Sequence, residues 1–390
     1  MLASFIPASA RIRRVLGFSA LLLIAACGKK VSDTASALPA ASVGAAADVA
    51  AIAEPAPALQ AAACEAEAGI SYVCGLVNAE DILRLGTSDW LLVSGMNGDL
   101  ANNPDIDGKL HLVNRVDRSW EVLFPGSSPI MEHDAALYPA CPGPLDVTAF
   151  SGHGLALQNY PAGSDQYRLY ITSHGAREAI ETFMIDASAK PVIKWTGCIP
   201  MPATSWTNSL VILDDGGFMA TQFMDPTGSG MEGVRAGEVT GHVFEWHPGG
   251  AVTVITGTEL SGANGIAISE DARSLYVASF GSQAIARFDL TTTPPSKTLI
   301  EVGVVPDNVR WSSDGTLYTA GGDVTEGCED VECGGGWSVW EIDPATLQAS
   351  RFVGMSAGSA MDVVSTALLV DDEIWVGTYQ GDRIGIMPKP

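Results

Sequence analysis

Four oxygen-bearing side chains stand at nearly the same distance ahead of an aromatic residue. Glu80 lies 10 residues before Trp90, Asn208 10 before Phe218, Asn264 12 before Tyr276 and Asn308 10 before Tyr318, with Asp307 directly ahead of Asn308. Residues at one phase of a repeated β unit line one ring around a common axis. Glu80, Asn208, Asn264, Asp307 and Asn308 are therefore expected to bring carboxylate and amide oxygens to one point. Hard oxygen donors without Cys or His suit Ca2+, which accepts six to eight oxygens in a flexible shell, better than zinc. Any one of these Asn residues alone is an ordinary turn or strand cap, but the set with its two carboxylates points to a metal ring.

The elements that must hold such a ring are short strands. From residue 64 a polar Asp/Gly/Ser turn followed by a short strand with a large apolar residue recurs six times. The segments are Thr87 to Val93, Asp165 to Ile171, Asp214 to Met219, Asp271 to Val277, Asp314 to Tyr318 and Asp371 to Val376. The five intervals from Trp90 to Trp375 span 285 residues and average 57, near the roughly 40–50 residues of a four-stranded propeller blade with insertions. WD and kelch signatures are absent. Forty-two Gly and 22 Pro, 47% hydrophobic residues and no long heptad pattern agree with an all-β chain. The expected architecture is a six-bladed β-propeller over residues 64–390, with calcium in the central tunnel.

Six segments carry a family resemblance: Asn78-Ala79-Glu80-Asp81-Ile82, Gly152-His153-Gly154-Leu155-Ala156, Leu169-Tyr170-Ile171-Thr172-Ser173-His174, Thr207-Asn208-Ser209-Leu210, Gly262 to Ser269, and Pro306-Asp307-Asn308-Val309. In this order they resemble the signatures of paraoxonase-type arylesterases/lactonases. The wider group includes the gluconolactonase, senescence-marker and strictosidine-synthase-like propellers. The resemblance covers most of residues 75–387 and rests on the joint order of short motifs. It implies that Glu80, Asn208, Asn264, Asp307 and Asn308 hold a catalytic calcium. It also implies a second, structural calcium held by Asp81, the Leu155 main-chain carbonyl and a further Asp; Ser209 stands at that last position, which leaves the site one carboxylate short. His153 and His174, 21 residues apart, match the family's His dyad. The implied chemistry is hydrolysis of a lactone or aryl ester: the cation polarises the carbonyl and a His takes a proton from water. Acid/base work by Glu80 or Asp307 is a second possibility. His111, His133, His242 and His247 match nothing and are expected in surface or core roles.

The N-terminus supplies an address. Arg11, Arg13 and Arg14 precede the apolar run Val15 to Ala26, too short to span a bilayer but suited to a signal-peptide core. The run ends in Ile24-Ala25-Ala26-Cys27-Gly28, which resembles a bacterial lipobox with Cys27 as the acylated residue. Residues 1–26 are thus expected as a lipoprotein signal peptide and 27–63 as the lipidated Cys and an Ala/Pro-rich tether. The expected location is the bacterial cell envelope, lipid-anchored at the outer membrane and facing the periplasm. In that oxidising compartment the remaining six cysteines, Cys64, Cys74, Cys141, Cys198, Cys328 and Cys333, are disulfide candidates. Fifteen pairings are open; short separations favour Cys64 with Cys74 and Cys328 with Cys333, leaving Cys141 with Cys198.

Net charge is −24, and because residues 1–26 hold three Arg and no acid, their removal leaves −27. Such a surface repels phosphate backbones, so nucleic acid is not an expected partner; a small ester or lactone is. No Gly-x-Ser-x-Gly elbow or phosphate-binding Gly-Lys-Ser/Thr loop is present, against serine-hydrolase or nucleotide chemistry. Phe223 to Gly241 reads as a long Gly/Met-rich loop that either overhangs the tunnel mouth or lacks order. Asn97 to Lys109 reads as a polar turn, because it lacks the terminal Glu of an EF-hand. Two other functions share this fold: a calcium-centred propeller lipoprotein that binds or scaffolds without hydrolysis, and a strictosidine-synthase-like enzyme that condenses an amine with an aldehyde.

Overall fold

A computed structural model describes residues 64–98, 107–324, 335–361 and 363–390. Cys27, Cys328, Cys333, the signal segment 1–26 and all of 28–63 lie outside the described residues, as does most of the Asn97 to Lys109 turn.

Among the described residues six sheets, antiparallel apart from one added edge strand, follow one another along the chain, one per blade. The innermost strands are Ala79–Arg84, Gly152–Asn159, Trp206–Ile212, Ala263–Ile268, Val304–Trp311 and Thr366–Val370, for blades I to VI in that order. The six repeated segments are the second strands: Trp90–Gly95, Gln166–Ser173, Phe218–Met224, Ser274–Ser279, Leu317–Asp323 and Glu373–Gly377. The period works because an Asp/Gly/Ser turn reverses the chain after each innermost strand, and the next strand buries its large residue between blades. Tyr170, Phe218, Tyr276, Tyr318 and Trp375 are all buried there. Blade II gains a fifth strand, Ile130–Met131, which pairs parallel with Val192–Pro200. Blade VI is completed from the other end of the chain: Ser71–Cys74 pairs with Arg383–Pro388, with Tyr72 opposite Gly385. That pairing gives blade VI its fourth, outer strand and joins the two ends of the propeller. Cys64 is bonded to Cys74 at the end of the closing strand, and Cys141 to Cys198 beside blade II.

The innermost strands are irregular at one level. In blade I the register shifts between Ala79 and Asp81, in II between Gly152 and Leu155, in III between Thr207 and Leu210, in IV between Ala263 and Ile266, and in V between Pro306 and Val309. The innermost strand of blade VI pairs regularly throughout. A β-bulge leaves one or more residues unpaired and re-aims their side chains. Second-strand hydroxyls satisfy bulged amides: Asp81 N–H donates to Ser94 Oγ (3.1 Å), Gly154 N–H to Thr172 Oγ1 (2.8 Å) and Ser209 N–H to Thr221 Oγ1 (3.0 Å). Neighbouring blades are laced at the same level. Thr172 Oγ1 donates to the Asn208 carbonyl (2.7 Å), Thr221 Oγ1 to that of Asn264 (2.6 Å) and Ser365 Oγ to that of Glu80 (2.7 Å). Close approach also requires glycine: a Cβ on Gly154 would sit 2.7 Å from the Ser209 Cα, and one on Gly265 2.5 Å from the Asn308 Cα.

The Phe223 to Gly241 stretch is ordered. Phe223 and Met224 complete the second strand of blade III, and Gly230–Arg235 forms a short helix. Of the two readings of that stretch, overhang of the tunnel mouth agrees with Phe223, Met224, Met231 and Arg235 lining the cavity there. Of the unmatched histidines, His111 is buried in blade I, where desolvation lowers its pKa to about 4, and exposed His247 pairs with Asp215 at 2.6 Å.

Candidate functional site

Each of the five bulges delivers a polar side chain to the tunnel: Glu80 from blade I, His153 from II, Asn208 from III, Asn264 from IV, and Asp307 with Asn308 from V. All six residues are buried. Asn308 Nδ2 donates to Glu80 Oε1 at 2.7 Å, His153 Nε2 lies 3.5 Å from the same oxygen, and Asn208 Nδ2 lies 3.3 Å from His153 Nε2. His153, Asn208, Asn264 and Asp307 line one cavity of about 410 Å³. Its walls are apolar, from Met96, Trp206, Phe223, Met231 and Phe280, with Arg235, Tyr379 and Gln380 as polar lining. The helix Gly230–Arg235 thus contributes to the mouth.

The ring is electrostatically incomplete. Glu80 Oε2 and the amide oxygens of Asn208, Asn264 and Asn308 are buried without a hydrogen-bond partner. A buried polar oxygen left unpaired costs roughly 1–3 kcal/mol, and a carboxylate more. The four oxygens come from four blades, and a cation held among them would remove that cost. Among the described residues no three His, Cys, Asp or Glu side chains form a metal centre by themselves. A cation here depends on the amide oxygens, which suits a hard ion such as Ca2+.

Beside the ring runs a relay whose last member the sequence reading missed. His153 Nδ1 lies 2.8 Å from His174 Nε2, and His174 Nδ1 lies 2.9 Å from Glu178 Oε2. Glu178 Oε1 accepts the Thr207 N–H at 2.7 Å, which fixes the carboxylate. Burial lowers the His174 pKa, against the raising effect of Glu178. A carboxylate beside Nδ1 keeps the proton on that nitrogen of neutral His174, so Nε2 carries the lone pair. His153 must then donate from Nδ1, and its Nε2 lone pair faces Glu80 and Asn208. The one signal for Glu178 in the sequence is an acid four residues beyond His174 within the link between two strands.

Asp81 and Leu155 also come together, on the side away from the mouth. Leu155 N–H donates to Asp81 Oδ2 at 2.8 Å, and Arg310 Nη2 donates both to that oxygen and to the Leu155 carbonyl, at 3.3 Å for the latter. Burial, the larger effect, raises the Asp81 pKa to about 6 against the lowering pull of Arg310. Ser209 lies in the bulge of blade III with its hydroxyl unpartnered. Beyond this level the C-terminal halves of the same strands line a second cavity of about 450 Å³, walled by residues such as Leu83, Leu157, Ile212 and Trp311. It lacks the convergent carbonyl and carboxylate oxygens of the first.

Comparison with known proteins places the architecture. No protein-family model matches the sequence, and no curated protein sequence matches it significantly. Among solved structures, a gluconolactonase from Xanthomonas campestris aligns with a TM-score of 0.52 at 17% identity, covering 82% of this chain and 89% of the other. A luciferin-regenerating enzyme aligns with a TM-score of 0.50 at 13% identity, covering 82% and 94%. At such identities the likeness establishes the six-bladed propeller fold.

Proposed function

We propose that this protein is a calcium-dependent hydrolase of lactones or aryl esters. The observation that carries the reading is the group of partnerless buried oxygens on Glu80, Asn208, Asn264 and Asn308 beside the His153–His174–Glu178 relay. Glu80, Asn208, Asn264, Asp307 and Asn308 would hold the ion. When bound, calcium supplies Lewis-acid polarisation of a carbonyl oxygen.

The chain's own residues do the rest. Glu178 holds His174 in the Nδ1–H form, and His174 holds His153 with its proton on Nδ1. His153 Nε2 is thereby a ready acceptor for a proton from water. Its 3.3 Å contact with Asn208 Nδ2 is long, so a water can take over that nitrogen as substrate enters. Proton transfer to His153 makes an imidazolium whose Nδ1–H is already aimed at His174, with the Glu178 carboxylate to offset the charge. Met96, Trp206, Phe223, Met231 and Phe280 exclude water around the acyl or aryl group and favour an apolar substituent.

The test is a panel of lactones and aryl esters, assayed with calcium and again after chelation. Turnover that disappears with chelator and returns with calcium supports the reading. Tight calcium binding with no ester or lactone turned over would replace it with the ligand-binding or condensing alternatives. We also propose that Cys27 is lipidated and anchors the enzyme in the bacterial envelope. Cys27→Ser should accumulate as unprocessed precursor; a processed, membrane-retained variant would reject the anchor.

A further inference from the structure

We infer that Arg310 is the resident cation of the inner acidic layer, so that no metal ion sits at Asp81. This inference goes beyond the hydrolase reading, because it concerns the other layer of the tunnel.

Asp81 is fully buried, and a carboxylate there needs a positive partner or must give up its charge. Every contact it makes is internal. Oδ1 accepts the Ile82 N–H at 2.9 Å and lies 3.4 Å from Thr366 Oγ1; Oδ2 accepts the Leu155 N–H and Arg310 Nη2. The same Arg310 nitrogen reaches the Leu155 carbonyl. The two groups that the family resemblance assigns to a second calcium are thus both bound by one guanidinium nitrogen. The third expected ligand is Ser209, which brings no charge.

Charge balance explains why the exchange is self-consistent. A divalent ion is neutralised by two carboxylates and a guanidinium by one. With Ser209 bringing no charge, the single positive charge of Arg310 balances the single carboxylate of Asp81. With its side chain 11% exposed and bonded to blades I and II from blade V, Arg310 also ties three blades across the tunnel. A metal would have to displace this cation from both ligands, and would then meet a single carboxylate.

The test counts ions and melts the protein. The full chain, stripped with chelator and titrated with calcium alone, should retain at most one ion per chain by native mass spectrometry. Two tightly held ions per chain would overturn the inference. In calcium-free buffer Arg310→Met should melt roughly 5–10 °C below wild type, since it leaves a buried carboxylate uncompensated, and Arg310→Lys should recover part of that loss. A methionine variant as stable as wild type would also overturn it. Arg310→Met combined with Ser209→Asp restores two carboxylates around an empty position and should hold one calcium more than wild type. If any variant fails to fold, the wild-type ion count still decides. A wild-type chain with no bound calcium and no hydrolysis would sink the hydrolase reading instead, while agreeing with a metal-free Asp81.

Discussion

Glu80 and Asp81 are adjacent buried carboxylates that meet opposite fates. Asp81 has every oxygen engaged by the chain, a guanidinium among its partners. Glu80 receives one amide hydrogen from Asn308, and its second oxygen points at nothing the protein supplies. Successive residues of a strand face opposite ways, and the register shift between Ala79 and Asp81 re-aims the side chains there. The chain therefore closes off the carboxylate of the Asp81 layer, where Ser209 Oγ and Arg310 Nε alone among the described side chains lack a hydrogen-bond partner, and leaves the Glu80 layer open. A closed layer stabilises the fold without needing a ligand; an open one costs stability until a ligand arrives, as binding sites commonly do.

The strongest way to break this contrast is to remove the open layer. Asn264→Ala should abolish calcium retention and lower hydrolysis at least about 10³-fold, because several kcal/mol of charge stabilisation goes with the ion. Metal analysis and steady-state kinetics on the same sample check it; a variant that keeps both calcium and turnover would end the argument for the ring. Next in size is His153→Gln, expected to keep its calcium and lose about 10²–10⁴-fold in turnover, the usual contribution of a general base. Turnover within a fewfold of wild type on every substrate would take that role from His153.

His174→Gln and Glu178→Gln probe the relay and should be milder. A neutral amide at position 178 no longer fixes the His174 tautomer, and loss of such an orienting partner typically costs about 10–100-fold. The loss should fall on kcat rather than KM, and Glu178→Asp should recover part of it; a change confined to KM would make Glu178 a merely structural residue. The smallest effect on catalysis is expected from the closed layer: Arg310→Met should leave turnover per folded molecule within a fewfold while lowering the melting temperature. A collapse of turnover in protein that is demonstrably folded and calcium-loaded would show that the two layers are coupled.

Much of the open layer is legible in the sequence. The common distance from Glu80, Asn208 and Asn308 to the next aromatic strand reports strand phase, which is local and survives in a single sequence. The family resemblance marks His153 and His174 as a pair, and the separation of 10 residues between Cys64 and Cys74 agrees with the first disulfide. Glu178 was not visible. Its approach to His174 depends on how the link between two strands of blade II turns back, and its second oxygen is held by Thr207 from another blade. For the Phe223 to Gly241 stretch the sequence left overhang and disorder open, because the cavity that Phe223 and Met231 line exists only once the blades are assembled.

By itself the sequence determined the number of blades, the residues that share a phase, and the acidic and amide character of the ring, because turn chemistry, strand alternation and residue type are properties of short segments. Only the tertiary structure decided which of those oxygens remain open. Arg310 looks from its neighbours like an ordinary strand residue, with nothing in Val309 or Trp311 to mark it. It meets Asp81, 229 positions away, because ring closure sets blade V within reach of blades I and II across the tunnel. Charge compensation acts through space at a few ångströms and is indifferent to separation along the chain, so the closed layer was settled only when the propeller closed.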